Sequence, residues 1–207
     1  MRNALGAAGV LVALLFAPAA QGAADDRTTL ERYAGATWAS LAAMTDPESG
    51  LPTDVLSADG TRAAQTSTTN IGAYMWSAVA AERPGIIDHD ELVARLGRTL
   101  ATLERMERHE PDGQFYNWYD HRTGEKLTTW PPTGEPLTPI LSSVDNAWLA
   151  TGLRIVRNAV PELSQRAGAI YESMDLRPLL RPGAEPHLVP LRAVNRHGAV
   201  LLRHRRL

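Results

Sequence analysis

Apolar positions recur at helical spacing along most of the chain. From Thr28, with Glu31 at capping-box distance, the residues Leu30, Tyr33, Thr37, Leu41 and Met44 fall on one stripe and predict a first helix, ended by Asp46-Pro47 and Gly50-Leu51-Pro52. Ile71, Tyr74, Met75, Ala78 and Val79 form the apolar face of a second, from about Asn70 to Glu82, which Arg83-Pro84-Gly85 stops. A third starts at Asp88, again with a Glu three positions on. Leu92, Leu96, Leu100, Leu103 and Met106 line one side of it, and charges of both signs occupy the other. The spacing predicts a fourth helix over about Val144 to Asn158. A fifth runs from Pro161, which suits the first position of a helix, to near Met174. No segment alternates as a strand does. The expected fold class is all-α, with helical hairpins joined by long loops on one side.

The loops carry more information than their length suggests. Residues 46–66 are rich in Asp, Gly, Pro and Ser, as turns are. Residues 110–142 lack helical period and hold Gly113, Gly124, Gly134 and five prolines. They also hold Phe115, Tyr116, Trp118, Tyr119 and Trp130. Disordered segments are poor in aromatics, and a long ordered loop inside a domain is usually functional. An ordered, functional loop is expected.

The chain ends differ from this pattern. Arg2 precedes an apolar run from Ala4 to Phe16, and Ala20-Gln21-Gly22-Ala23-Ala24 supplies small residues. This is the layout of a secretory signal peptide cleaved near residues 22–24, and the run is short for a membrane span. Residues 1–24 are read as signal, the product as secreted or held in the cell envelope, with no membrane attachment after cleavage. After Asp175 the chain turns Arg-, Leu- and Pro-rich, and His187, His197 and His204 fall there. The charge total, 21 Lys and Arg against 23 Asp and Glu, gives no support to a nucleic-acid or membrane-surface partner. The absence of cysteine excludes a disulfide framework and thiolate metal sites. No phosphate loop, metal-binding His-Glu spacing or nucleophile elbow is present, so no cofactor and no metal are expected.

Three segments are candidates for chemistry. Phe115-Tyr116-Asn117-Trp118-Tyr119-Asp120 combines aromatic faces, which stack on sugar rings, with an amide and a carboxylate, which pair with hydroxyls. The same segment also reads as an anchor that pins a loop to the core. In Ser142-Ser143-Val144-Asp145-Asn146-Ala147-Trp148, an Asp-Asn pair beside a tryptophan suits an acid group at a cleft. Ser143 or Asp145 equally suits a helix N-cap, where an oxygen accepts from free backbone N–H groups. Thr66-Ser67-Thr68-Thr69-Asn70-Ile71-Gly72 is capping chemistry with room for a ligand contact.

Taken together, the order and spacing of these segments resemble the glucoamylase-like domain of secreted DUF3131-type bacterial proteins. That domain is similar to the one in cyclic β-1,2-glucan synthases and in β-1,2-glucanases. The resemblance runs from about Leu30 to Met174 and departs at Thr68, where the family usually has Pro. It implies an (α/α)6 barrel, or toroid, with a cleft where the loops gather. It also implies a glucan, an oligo- or polysaccharide, as partner, and acid/base chemistry by paired carboxylates flanking the scissile bond. By matching motif, Asp145 and Asp120 are the expected catalytic residues, and Tyr116, Asn117, Trp118, Trp148, Asn146 and Asn70 the expected substrate-binding ones. The alternative is a non-catalytic carbohydrate-binding or cell-envelope interaction protein.

The five helices read here supply only the N-terminal portion of such a barrel, which is built from six hairpins. Residues 25–175 are therefore expected to be a partial, truncated domain, inactive as it stands. Residues 176–207 are read as an aberrant basic tail. Leaving out one base after the Asp175 codon, with GC-rich synonymous codons, turns the tail into Asp-Phe-Gly-Pro-Tyr-Tyr-Asp-Pro, and the family carries a Tyr-Tyr-Asp-Pro turn after its fifth helix. A frameshift is the expectation. Sequencing the locus across codon 175 should show a second frame encoding further helical hairpins; confirmation of the present frame with no such continuation would refute it.

Overall fold

Side-chain caps set the starts of the inner helices in the computed structural model, which describes residues 17–177, with side chains from residue 26. Asp88 accepts from the Glu91 amide at 2.7 Å and opens α3 (His89–Arg105). Ser67 accepts from the Asn70 amide and opens α2 (Thr68–Glu82). Ser142 accepts from the Asp145 amide and opens α4 (Ser143–Ala159). A 3₁₀ turn, Pro161–Leu163, leads into α5 (Ser164–Glu172). These elements follow the apolar periods, and the chain is predominantly helical.

The first helix departs from expectation. α1 spans Ala17–Met44 without a break at Thr28, because the alanine-rich stretch before it favours helix and outweighs the single Gly22. The expected stripe is buried only in part: Leu41 packs against the core and Met44 is partly buried. Leu30 and Tyr33 are 68% and 60% exposed, whereas Trp38 is buried and stacks on Tyr74 at 6.0 Å. Among the residues of α1 whose side chains are described, Trp38, Leu41 and Ala42, near its C-terminal end, reach the core. Residues 1–16 and the tail from residue 178 lie outside the described residues, and with them most of the signal segment and most of the tail.

Two short strands escaped the sequence reading. β1 (Gln65–Ser67) pairs antiparallel with β2 (Trp118–Asp120), with Gln65 opposite Asp120, Thr66 opposite Tyr119 and Ser67 opposite Trp118. Three residues are too few to show a period of two. The long loop and the turn at 46–50 are ordered by repeated turns of one kind: the amides of Gly50, Gly113, Gly124 and Gly134 donate to the carbonyls of Asp46, His109, Asp120 and Trp130 at 2.7–3.0 Å. Each closing glycine has positive φ, a conformation that costs a side-chain-bearing residue.

The strongest packing joins α2 to α4. A Cβ on Gly72 would stand 2.4 Å from the Trp148 carbonyl oxygen, and one on Gly152 would stand 2.7 Å from the Gly72 carbonyl oxygen and 2.9 Å from the Met75 side chain. Glycine lets the two backbones touch. Thr69 meets Asp145, Gly72 meets Trp148, and Met75 meets Gly152, so the helices run parallel with their N-termini side by side. Leu149, Leu153 and Val156 of α4 join Ile71, Tyr74, Met75 and Ala78 of α2 and the leucines of α3 in one core.

Gly72→Ala should therefore destabilise the protein by about 1–3 kcal/mol, as overpacking does. Gly97→Ala, on α3 with nothing within 4 Å of its Cβ position, should stabilise it by about 0.5–1 kcal/mol. Urea unfolding of both variants checks the pair; equal effects would contradict the close approach.

Candidate functional site

The site is built at the joined N-termini of α2 and α4. Because Ser142 caps α4, the Asp145 carboxylate is released from capping and turns toward α2. One of its oxygens accepts from the Thr69 hydroxyl. The other accepts from the Asn117 amide nitrogen at 2.6 Å, in the amide orientation that also lets the Asn117 oxygen accept from the Trp118 indole N–H at 2.8 Å. Thr69, Asn117, Trp118 and Asp145 thus form one connected polar network, drawn from α2, the long loop and α4. The carboxylate is half-buried and lies in the first turn of α4, where the helix dipole favours negative charge.

Aromatic pairs flank this network. Trp148, 42% exposed, stands edge-on to Trp76 of α2 at 4.9 Å. Trp118 stands edge-on to Trp130 at 5.2 Å. Asn70 donates to Asp54 at 2.9 Å, and the Asp54 amide donates to the Gln65 carbonyl at 2.8 Å. Asp54 is thereby a second carboxylate one residue along α2 from the Thr69 contact. The sequence reading passed over it and over Trp76: Asp54 lies in a loop of turn-forming residues, and Trp76 lies about one helical turn beyond the polar segment.

The other expected residues take different places. Asn146 is fully buried; its oxygen accepts from the Phe115 amide at 2.9 Å, and its nitrogen donates to the carbonyls of Phe115 at 2.9 Å and Ser142 at 3.0 Å. It fastens the aromatic segment to α4. Phe115 and Tyr119 are fully buried anchors. The Tyr119 hydroxyl donates to the Glu107 carbonyl at 2.7 Å and accepts from the Tyr116 amide at 2.8 Å, and burial pushes its phenol pKa up. Tyr116 lies at the margin of the core, with the Lys126 ammonium 4.3 Å from its ring centre and His109 edge-on. The aromatic segment is thus both anchor and surface, divided residue by residue.

Asp120 is engaged within its own turn. Its carboxylate accepts from the Arg122 guanidinium at 2.9 Å and from the Arg122 amide at 2.8 Å. Burial pushes its pKa up, but the bonds from Arg122 and the turn amides outweigh burial and hold it below the ordinary carboxylate value. Among the described residues, no group of three or more His, Asp or Glu is arranged to hold a metal ion.

Comparison with known proteins finds relatives in sequence and in fold. The family described as "Protein of unknown function (DUF3131)" is matched over residues 32–184. The cyclic beta-(1,2)-glucan synthase NdvB of Rhizobium meliloti (strain 1021) is 35% identical over 108 residues, 52% of this chain and 3% of that protein. A beta-1,2-glucanase from Parabacteroides distasonis superposes with a TM-score of 0.54 at 21% identity, over 72% of this chain and 20% of its own. A provisionally assigned glucoamylase from Bacteroides fragilis NCTC 9343 gives 0.52 at 21% identity, over 70% of this chain and 34% of its own. The chain therefore spans a small part of each relative, and the shared part has the helical fold of these toroidal proteins.

Two outcomes follow from the site. Asn146→Ala should cost about 2–4 kcal/mol in chemical unfolding, because it leaves the Phe115 backbone groups buried and unpaired. The Asp120 pKa is lower folded than unfolded, so its stabilisation is whole above the unfolded value of 3.8 and is lost as pH falls through the folded value. Asp120→Asn should flatten the acid limb of a stability-versus-pH curve; an unchanged limb would contradict the pairing with Arg122.

Proposed function

This chain belongs to the DUF3131 family, and from that premise we propose that it carries part of a glucan-binding cleft, at the joined N-termini of α2 and α4, of a secreted glycoside hydrolase-like protein. The observation that carries the reading is the Asp145 carboxylate, held by Thr69 and Asn117 between the tryptophans of α4 and of the long loop. Sugars present apolar ring faces and hydroxyls together, and this arrangement offers indole faces beside a carboxylate and amides. The glucan-handling relatives make a β-1,2-linked glucan the first substrate to test.

In the catalytic form of the reading, Asp145 works with a second carboxylate across the glycosidic bond, one as acid and one as base. Asp120 was the expected partner, and its carboxylate is committed to Arg122. Asp54, reached through Asn70, is the better placed second group. Trp118, Trp148, Asn117 and Asn70 then hold the sugar, while Asn146 and Tyr116 support the loop that presents them. The commitment of Asp120 also favours the second reading, a carbohydrate-binding protein without turnover. The proposal includes residues 25–175 as the glucoamylase-like part of the chain, residues 1–24 as a signal for export, and residues 176–207 as a basic tail, of which the family match takes in residues 176–184.

Asp145→Asn separates the forms. A β-1,2-linked gluco-oligosaccharide should bind the parent chain in calorimetry. If the site is catalytic, the variant keeps binding and loses product formation by at least about a hundredfold, in the range of general acid–base contributions. If the site only binds, neither protein forms product and the variant binds more weakly. A parent chain with no affinity for the sugar would overturn both.

A further inference from the structure

A concave site is formed by residues outside the Thr69–Asn117–Asp145 network. The last turns of α1, the turn at 46–50, Arg62 and α3 enclose a cavity of about 310 Å³, lined by Thr45, Asp46, Tyr74, Arg62, Arg95 and Arg98 among others. Three arginines thus line one space, Arg62 from the 46–66 loop and Arg95 and Arg98 from α3. The Nε of Arg62 donates to the Ala43 carbonyl at 2.8 Å, and that of Arg95 to Glu91 at 2.7 Å, which leaves for other acceptors the terminal nitrogens of Arg62 and those of Arg95 not turned to the Tyr74 hydroxyl. Arg95 is further fixed over the Trp38 ring at 5.4 Å. Arg98 makes no hydrogen bond or ion pair with the described residues.

The cavity also contains an unpaired donor. Tyr74 is 1% exposed, and its buried hydroxyl has no hydrogen-bond partner. The hydroxyl lies beside the Arg95 guanidinium, itself a donor only. Buried polar atoms without partners are rare in folded proteins. Asp46 is the one carboxylate that lines the cavity. Its Oδ1 accepts from the amides of Glu48 and Ser49, so part of its charge is spent on its own turn.

We infer that this cavity binds a phosphate-type oxyanion, with Arg98 and Arg95 as its charged donors and Tyr74 as a neutral one. A tetrahedral anion offers acceptors in several directions at once, which suits donors that approach from α2, α3 and the 46–66 loop; a planar carboxylate satisfies fewer of them. Guanidinium groups are the preferred protein partners for such oxygens. The ligand is either the free ion or a phosphate monoester, and the same donors serve both.

The test is calorimetric titration of the full chain at low ionic strength with inorganic phosphate, with glucose 6-phosphate, and with acetate as control. Phosphate or the monoester should bind saturably, Arg98→Ala should weaken binding at least about tenfold, and Tyr74→Phe should weaken it severalfold. Arg98 is exposed, so its replacement leaves the core intact. Tighter binding of the monoester assigns the ligand to an ester, and tighter binding of the free ion assigns it to phosphate itself. Absence of saturable binding, equal affinity for acetate, or unchanged affinity in Arg98→Ala would overturn the inference.

Discussion

The contact between Gly72 and Gly152 sets the geometry on which the rest depends. Parallel helices whose backbones touch cannot slide without clashing, because each glycine sits against a carbonyl of the other helix. That contact aligns the two N-termini to within one side chain, so that a threonine in the first turn of α2 reaches an aspartate in the first turn of α4. Buried leucines and methionine hold the pair from beneath. The loops then need only be fastened to this platform, and Asn146 does this with three hydrogen bonds made in the interior.

The chemistry of the site follows from a division of labour among neighbouring residues. Ser142 satisfies the free amide at the start of α4, Asn146 ties down the backbone of Phe115, and Asp145 between them is left to face outward. Had Asp145 been the cap, its carboxylate would have been turned back onto its own helix. The same division operates in the aromatic segment, where Phe115, Asn117 and Tyr119 are buried and Tyr116, Trp118 and Asp120 are partly exposed. Strand β2 continues this alternation, since successive residues of a strand face opposite sides.

The helices were legible because their periods and breakers are local. The start of α3 could be read from Asp88 and its buried face from the leucines, and the bounds of α4 came within a residue. The start of α1 was misread because a capping-box pattern within a continuous run of helix formers carries no boundary. Part of its stripe was misread because burial there depends on which turns α2 reaches, a tertiary fact. Asp145 and the aromatic loop were legible as site candidates from composition and from their resemblance to a family. Their roles were not, since Ser142 as cap, the burial of Asn146 and the capture of Asp120 by Arg122 depend on side-chain direction. Asp54 gave no sign, because its link to Asn70 joins residues from a loop and a helix with no shared pattern.

Indole N–H resonances test the central claim, that sugar is held between the tryptophans at the α2–α4 N-termini. The chain has five tryptophans, each with one such signal, and they divide cleanly by place. Titration with a β-1,2-linked gluco-oligosaccharide, followed in ¹H–¹⁵N spectra, should move the signals of Trp118 and Trp148 and leave that of Trp38, stacked in the core on Tyr74, in place. Shifts at neither Trp118 nor Trp148, with the sugar present at saturation, would contradict the account.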